Sequence, residues 1–418
     1  MTTTTPATGP AFPASLPSWI RLAHCYGLGP ILTKRLLERL GSPEAVLAAH
    51  PGALVEIEGI KARHCEGIAK TIPLTHAHEL IREAQSLGIT YLCPDSPNWP
   101  AGFRHMVDPP VVLTVRGEIL PTDTVALSVV GSRRATLYGI EQAGRFGALA
   151  ALAGMTIVSG GARGIDTAAH EGALRAGGRT IVVQGCGLKH CYPPENEALY
   201  ERIVSSGHGA VISELPLNAP PLAEHFPARN RLIAVLGLGV LVVEANKKSG
   251  SLITARLAAE DYGREVFALP GRVDSISSAG THELIKSGGA HLVEDLGDIL
   301  DQLGETGTAL LQGLRRPADT PPAPRKEKAP KPLLWDSDPK THTVYESTGL
   351  PTTTFTQAQE KILTALRGQT LDVDSLCEQT DLPPNVLMAE LTYLQIRGAI
   401  SRAGSNCYGL RQPTREST

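Results

Sequence analysis

Two glycine turns that each carry an arginine are the first residues in this 418-residue sequence whose types and spacing suit an anion. The first run, Val129-Val130-Gly131-Ser132-Arg133-Arg134, ends a β-rich stretch and leads into helical periodicity. Gly131 lets the backbone approach a ligand, and the following amides with the helix dipole favour negative charge. Arg133 adds a planar donor fork matched to phosphate oxygens. The second run, Val158-Ser159-Gly160-Gly161-Ala162-Arg163-Gly164-Ile165-Asp166, repeats the device. Tight strand-to-helix turns explain the glycines alone. They do not explain an arginine in both.

Two later runs extend the pattern. His225-Phe226-Pro227-Ala228-Arg229-Asn230-Arg231 precedes a helix and offers Arg229, Asn230 and Arg231, with Phe226 either stacking on a base or packing under its loop. After Val242-Val243-Glu244-Ala245 comes Asn246-Lys247-Lys248-Ser249-Gly250-Ser251, where Lys247, Lys248, Ser249, Gly250 and Ser251 suit a further phosphate at a helix start. The formal net charge is −3, which argues against a uniformly basic coat. These four turns instead concentrate cations along one sheet edge, and affinity follows the charge facing the phosphates. Aromatic residues make up only 4%, so extensive base stacking is not the main source of affinity.

Several chemistries lack their residues. There is no Gly-x-x-x-x-Gly-Lys-Ser/Thr loop, no Gly-x-Gly-x-x-Gly turn, no His-Glu-x-x-His, no serine elbow and no carboxylate cluster. Asp166 and Glu244 read as capping or structural acids rather than catalytic ones. The seven cysteines form no Cys-x-x-Cys pair and read as free thiols in a reducing compartment. Cys186 and Cys191 read as small residues beside a strand end rather than as ligands. The expectation is a binder with no catalytic residue, no metal and no cofactor. With no leader signal and no apolar run long enough to span a bilayer, a cytoplasmic protein without membrane partners is expected.

The elements that must position these turns follow from periodicity. Short apolar runs at 125–130, 155–159, 180–183, 210–213, 239–243 and 265–268 read as buried strands. Helical patterns at 140–153, 166–176, 195–205, 230–236 and 252–262 alternate with them, and turns through 284–287 and 295–303 close the domain near 304. That alternation predicts a mostly parallel sheet with helices on both faces, its ligand crevice outside the carboxyl ends of the strands. Residues 1–17 form a Thr/Pro/Ala-rich tail. Residues 18–90 are helical, with turns at Gly27-Leu28-Gly29-Pro30 and Glu58-Gly59-Ile60-Lys61 that resemble helix-hairpin-helix modules, read first as packing and second as DNA contact. Residues 305–354 are Pro-, Thr- and Lys-rich and read as a flexible linker. Within 355–412, three helical runs at 359–366, 374–380 and 385–397 and a hairpin at 400–402 and 407–410 make a winged helix. Its six Lys/Arg against seven Asp/Glu over 355–418 favour protein contact over duplex reading.

The runs Gly131-Ser132-Arg133, Ser159-Gly160-Gly161-Ala162-Arg163-Gly164-Ile165-Asp166, Phe226-Pro227-Ala228-Arg229-Asn230-Arg231-Leu232-Ile233-Ala234, and Val243-Glu244-Ala245 with Ser249-Gly250-Ser251-Leu252-Ile253-Thr254-Ala255 together resemble the DprA/Smf (DNA-processing protein A) family. Pro270-Gly271, Leu284-Ile285 and Gly289-Ala290 extend the likeness over about 105–300. The resemblance implies an extended Rossmann-like domain flanked by an N-terminal helix-hairpin-helix/SAM-like domain and a C-terminal winged helix. It implies sequence-independent binding of single-stranded DNA, homodimers, and loading of RecA on incoming strands in natural transformation, with displacement of single-strand binding protein. Arg133, Arg163 and the segment from Phe226 to Arg231 would line the DNA pocket. Family members often place a lysine just before the Phe-Pro-x-Arg-Asn run, where Pro220-Pro221-Leu222-Ala223-Glu224 offers none. Either Lys247 or Lys248 compensates, or the pocket is weaker. The alternative, a Rossmann-like hydrolase of nucleoside monophosphates, calls for a Pro-Gly-Gly-x-Gly-Thr turn with a catalytic Glu that this chain lacks.

Overall fold

The computed structural model describes residues 12–315, 355–396, 399–402 and 407–410. Two compact units divide the chain, one ending at Thr308 and one beginning at Ala309.

In the first unit, nine strands form one sheet: β1 (Ile89–Leu92), β2 (Leu113–Gly117), β3 (Ala126–Val130), β4 (Thr156–Ser159), β5 (Thr180–Val183), β6 (Gly209–Ser213), β7 (Gly239–Val242), β8 (Glu265–Ala268) and β9 (His291–Leu292). Their order is β1-β2-β6-β5-β4-β3-β7-β8-β9. The chain runs outward from β3 through β4, β5 and β6, then returns to the other side of β3 with β7. The pairings from β6 across to β9 are parallel, and β1–β2 and β2–β6 are antiparallel. Strands β3, β4, β5 and β7 are buried at every position, as two covered faces demand.

The doubly wound reading therefore describes the molecule, with an addition. Strands β1, β2 and β9 are additions: β1 and β2 are only partly buried and pair antiparallel outside the alternating strand-helix pattern, and β9 has only two residues, both exposed. Ile89 and Tyr91 point into a core shared with Leu16, Ile20, Leu36 and Ile68 of the helical layer that precedes the sheet. The two hairpin turns of that layer are present, with Gly27 at φ 76° and Gly59 at φ 85°, values that favour glycine. The segment expected to be linker from 305 starts as a helix, Gly304–Arg315. Its reason is plain in the residues: no proline occurs before Pro317, and Leu310, Leu311 and Leu314 recur at helical spacing. Residues 1–11 of the expected tail, and 316–354 of the expected linker, lie outside the described residues. No described helix is long and apolar enough to cross a membrane.

The second unit holds the helices Gln357–Ala365, Val373–Thr380 and Pro384–Ile396. Strands β10 (Leu371–Asp372), β11 (Ile400–Arg402) and β12 (Cys407–Leu410) pair in the order β10-β12-β11. Its core gathers Ile362, Leu376, Leu391, Ile400 and Tyr408. This is the winged helix read from the pattern, with one extra strand, β10. Asp381 takes a left-handed φ of 52° and ends the second helix before Pro383-Pro384 starts the third. Arg397, the last residue of the third helical run and its one basic residue, lies outside the described residues.

Candidate nucleic-acid interface

At the carboxyl ends of β3, β4 and β7, where the winding reverses, the sheet opens into a crevice of about 420 Å3. Gly131, Ser132, Arg133, Ala162, Asn230 and Ser251 are among its lining residues.

Each turn is shaped by a buried group. A Cβ on Gly131 would lie 2.5 Å from Ile165 and 2.9 Å from the Glu244 carbonyl, so only glycine fits. The Ser132 amide donates to that same carbonyl at 2.7 Å. The Glu244 carboxylate, 2% exposed, accepts from the Thr136 amide and hydroxyl, both at 2.8 Å. The Asp166 carboxylate accepts from the Gly160 and Ala162 amides at 3.1 and 3.2 Å, bending the second turn around itself. Burial raises the pKa of Asp166, while the nearby Arg229 charge and these amides pull it back down. The turns also meet each other: the Ile165 amide donates to the Ser132 carbonyl at 3.3 Å, and Gly164 has no room for a Cβ beside that oxygen.

Arg133 is exposed, with its guanidinium 5.4 Å from the centre of the Phe226 ring. Phe226 leans on Tyr192, ring centres 5.1 Å apart, so an aromatic face stands beside the Arg133 cation, although Phe226 itself is outside the crevice lining. Arg229 is only 5% exposed and holds up the floor, donating to the Gly160 carbonyl at 2.9 Å and to the Val183 carbonyl. Burial lowers its pKa, and Asp166 opposes that shift. Gly160 is glycine because a Cβ would lie 2.7 Å from the Arg229 guanidinium. Gly161, at φ 66°, packs under the Tyr200 hydroxyl. Ser249 and Gly250 line the far side with Ser251, and the Ser249 and Ser251 hydroxyls sit 2.8 Å apart.

Other cations expected in the row are engaged elsewhere. Arg163 is outside the crevice lining and pairs with Glu195, which holds that carboxyl below its ordinary pKa. Arg231 is buried against Asp108 at 2.9 Å and against Glu214. Residues two apart on a helix do not face one another, so Arg229 and Arg231 of the His225–Leu236 helix serve different sides. Lys247 lies 3.4 Å from Glu283, and Lys248 is exposed but outside the lining. Arg134 and Asn246, which belong to the same turn runs, also line the crevice. Tyr192 gave no signal, because only the fold brings the loop after β5 beside Phe226. Burial pushes the Cys186 and Cys191 thiols up to about 11, and among the described residues no group of three His, Cys, Asp or Glu could hold a metal.

Fold and crevice together define an extended Rossmann-like protein that also carries a winged helix. Residues 90–304 match the family model described as DNA recombination-mediator protein A, and 346–406 match the DprA winged helix domain. Protein Smf of Synechocystis is 37% identical over 290 residues, covering 68% of this chain and 72% of that one. Protein Smf of Escherichia coli is 46% identical over 209 residues, 50% of this chain and 55% of its own. The X-ray structure of DNA processing protein A from Streptococcus pneumoniae aligns with a TM-score of 0.60 at 34% identity, covering 68% of this chain and 97% of that one. This chain belongs to the DprA/Smf family of DNA recombination-mediator proteins.

Proposed function

We propose that the crevice binds single-stranded DNA without regard to sequence, and that the chain acts as a mediator that loads RecA onto incoming strands. The observation that carries this reading is Arg133 of the crevice lining, set 5.4 Å from the Phe226 ring beside two glycine-shaped turns. Backbone amides and a guanidinium suit phosphates, and a half-buried ring beside them suits a base face, which every base offers. The crevice is bordered by two buried acids, and both are committed: Asp166 to backbone amides and Glu244 to Thr136. That favours binding over hydrolysis.

Fluorescence anisotropy with an oligothymidylate across a salt series tests the binding, alongside assay of nucleoside monophosphates for released base. Salt-sensitive binding without turnover is expected. Base release would favour the hydrolase. The same reading includes a homodimer and transfer of the strand to RecA past single-strand binding protein. Sedimentation and RecA-driven strand exchange on a protein-coated strand test those parts separately.

A further inference from the structure

The amino ends of the strands, opposite the crevice, hold a second cavity of about 410 Å3. Trp99, Ile119, Leu236 and Leu238 give it apolar walls. They are preformed: Trp99 is braced edge-on against Phe103 at 5.8 Å, and Gly102 lies so close to the His225–Leu236 helix that a Cβ would meet the Val235 carbonyl at 3.0 Å.

Two charged residues line this cavity, with His105 as a third, titratable one. Asp123 is fully occupied. Its carboxylate accepts from Arg179 at 2.7 and 2.8 Å, from the Thr156 hydroxyl at 2.7 Å and from the Leu120 amide at 2.7 Å. Arg264 is the opposite case. Among the described residues its side chain makes one hydrogen bond, Nη2 to the Val235 carbonyl at 3.3 Å, and pairs with no carboxylate. Its Nε is enclosed with no partner. Desolvation lowers its pKa, as it must for a cation short of counter-charge. The helix end it touches supplies only about half a unit of opposing charge. A half-buried cation in apolar surroundings gains from one well-placed anion, and one cation matches one negative charge.

We propose that this cavity binds a small amphipathic carboxylate, its charged head on the Arg264 guanidinium and its hydrocarbon body against Trp99 and Leu236. The cavity falls in the size range of small-molecule sites, whose walls are mostly apolar with a few placed polar groups. It is separate from the DNA crevice and does not depend on that reading.

Titrating the full chain with sodium octanoate tests the site, with octanol and octyltrimethylammonium as controls. Tryptophan fluorescence and the thermal midpoint are read together. The expected result is a saturable octanoate response below about 1 mM that neither control reproduces. Arg264→Met should weaken it at least about tenfold, the loss of one charge-assisted contact. Ala101→Trp, at an exposed lining position, should block it. Both variants should bind oligothymidylate as the parent does. An equal response to octanol, no saturation by about 1 mM, or unchanged binding in Arg264→Met would overturn the proposal. If Arg264→Met does not fold, Ala101→Trp decides, and octanoate binding that survives it rules the site out.

Discussion

Arg133 and Arg231 stand on neighbouring elements yet have opposite surroundings. Arg133 is exposed beside an aromatic face, and Arg231 is enclosed between two carboxylates. Truncating each should therefore fail differently. Arg133→Ala should weaken oligothymidylate binding by about 1–3 kcal/mol, the range for a lost charge-assisted contact, and lower the salt slope by about 0.7. Its thermal midpoint should stay near the parent's. Anisotropy at several salt concentrations reads both quantities; unchanged affinity and slope would place the strand elsewhere. Arg231→Met should instead destabilise by about 3 kcal/mol, because the largely enclosed Glu214 and the partly exposed Asp108 lose their shared cation. Urea unfolding measures that loss. A variant that stays folded at low temperature should still bind the strand.

At the scale of elements, His170 ties the helix Ile165–Arg175 to β5. Thr180 donates its hydroxyl to the Ile157 carbonyl at 2.9 Å, so the 2.6 Å contact between Thr180 Oγ1 and His170 Nδ1 has the imidazole as donor. His170 Nε2 is enclosed with no partner, and burial drops the pKa to about 3. The unfolded chain takes up this proton near the ordinary value of about 6.5, and the native state does not until far lower. Stability should therefore fall as pH drops through that interval, and be complete above it. Between about pH 7 and about pH 4.5, His170→Gln should lose on the order of 2 kcal/mol less than the parent in urea unfolding. The comparison isolates the histidine from Asp166 and Glu214, whose raised pKa values act in the opposite direction. Parallel losses in both proteins would mean the imidazole is not held neutral.

For the whole molecule, the winged helix has its own core and a nearly balanced charge. Deleting 355–418 should leave oligothymidylate affinity within about threefold, below the 1.4 kcal/mol that marks a tenfold change. If the deletion also abolishes stimulation of RecA while binding persists, the domain serves a protein partner. A large loss of affinity would make it a second DNA contact.

Period-two and period-3.6 patterns are local properties of the chain, so the parallel strands β3 to β8, their helices and the winged helix are legible in the sequence. So are the glycine turns, which directly follow apolar runs and carry their arginines in the same stretch; that Ile165 and Arg229 leave no space for a Cβ at Gly131 and Gly160 is a tertiary fact. Partnership is not local. The carboxylates that take Arg163 and Arg231 lie 17 to 123 residues away, in Glu195, Glu214 and Asp108, and nothing in the arginine-bearing runs announces them. Sequence alone determined that this chain winds a parallel sheet and raises arginine-bearing glycine turns at its carboxyl ends. Only the tertiary structure decided which cations those turns keep: Arg133 stays exposed at the crevice, while packing turns Arg229 into the floor and Arg231 into a buried ion pair.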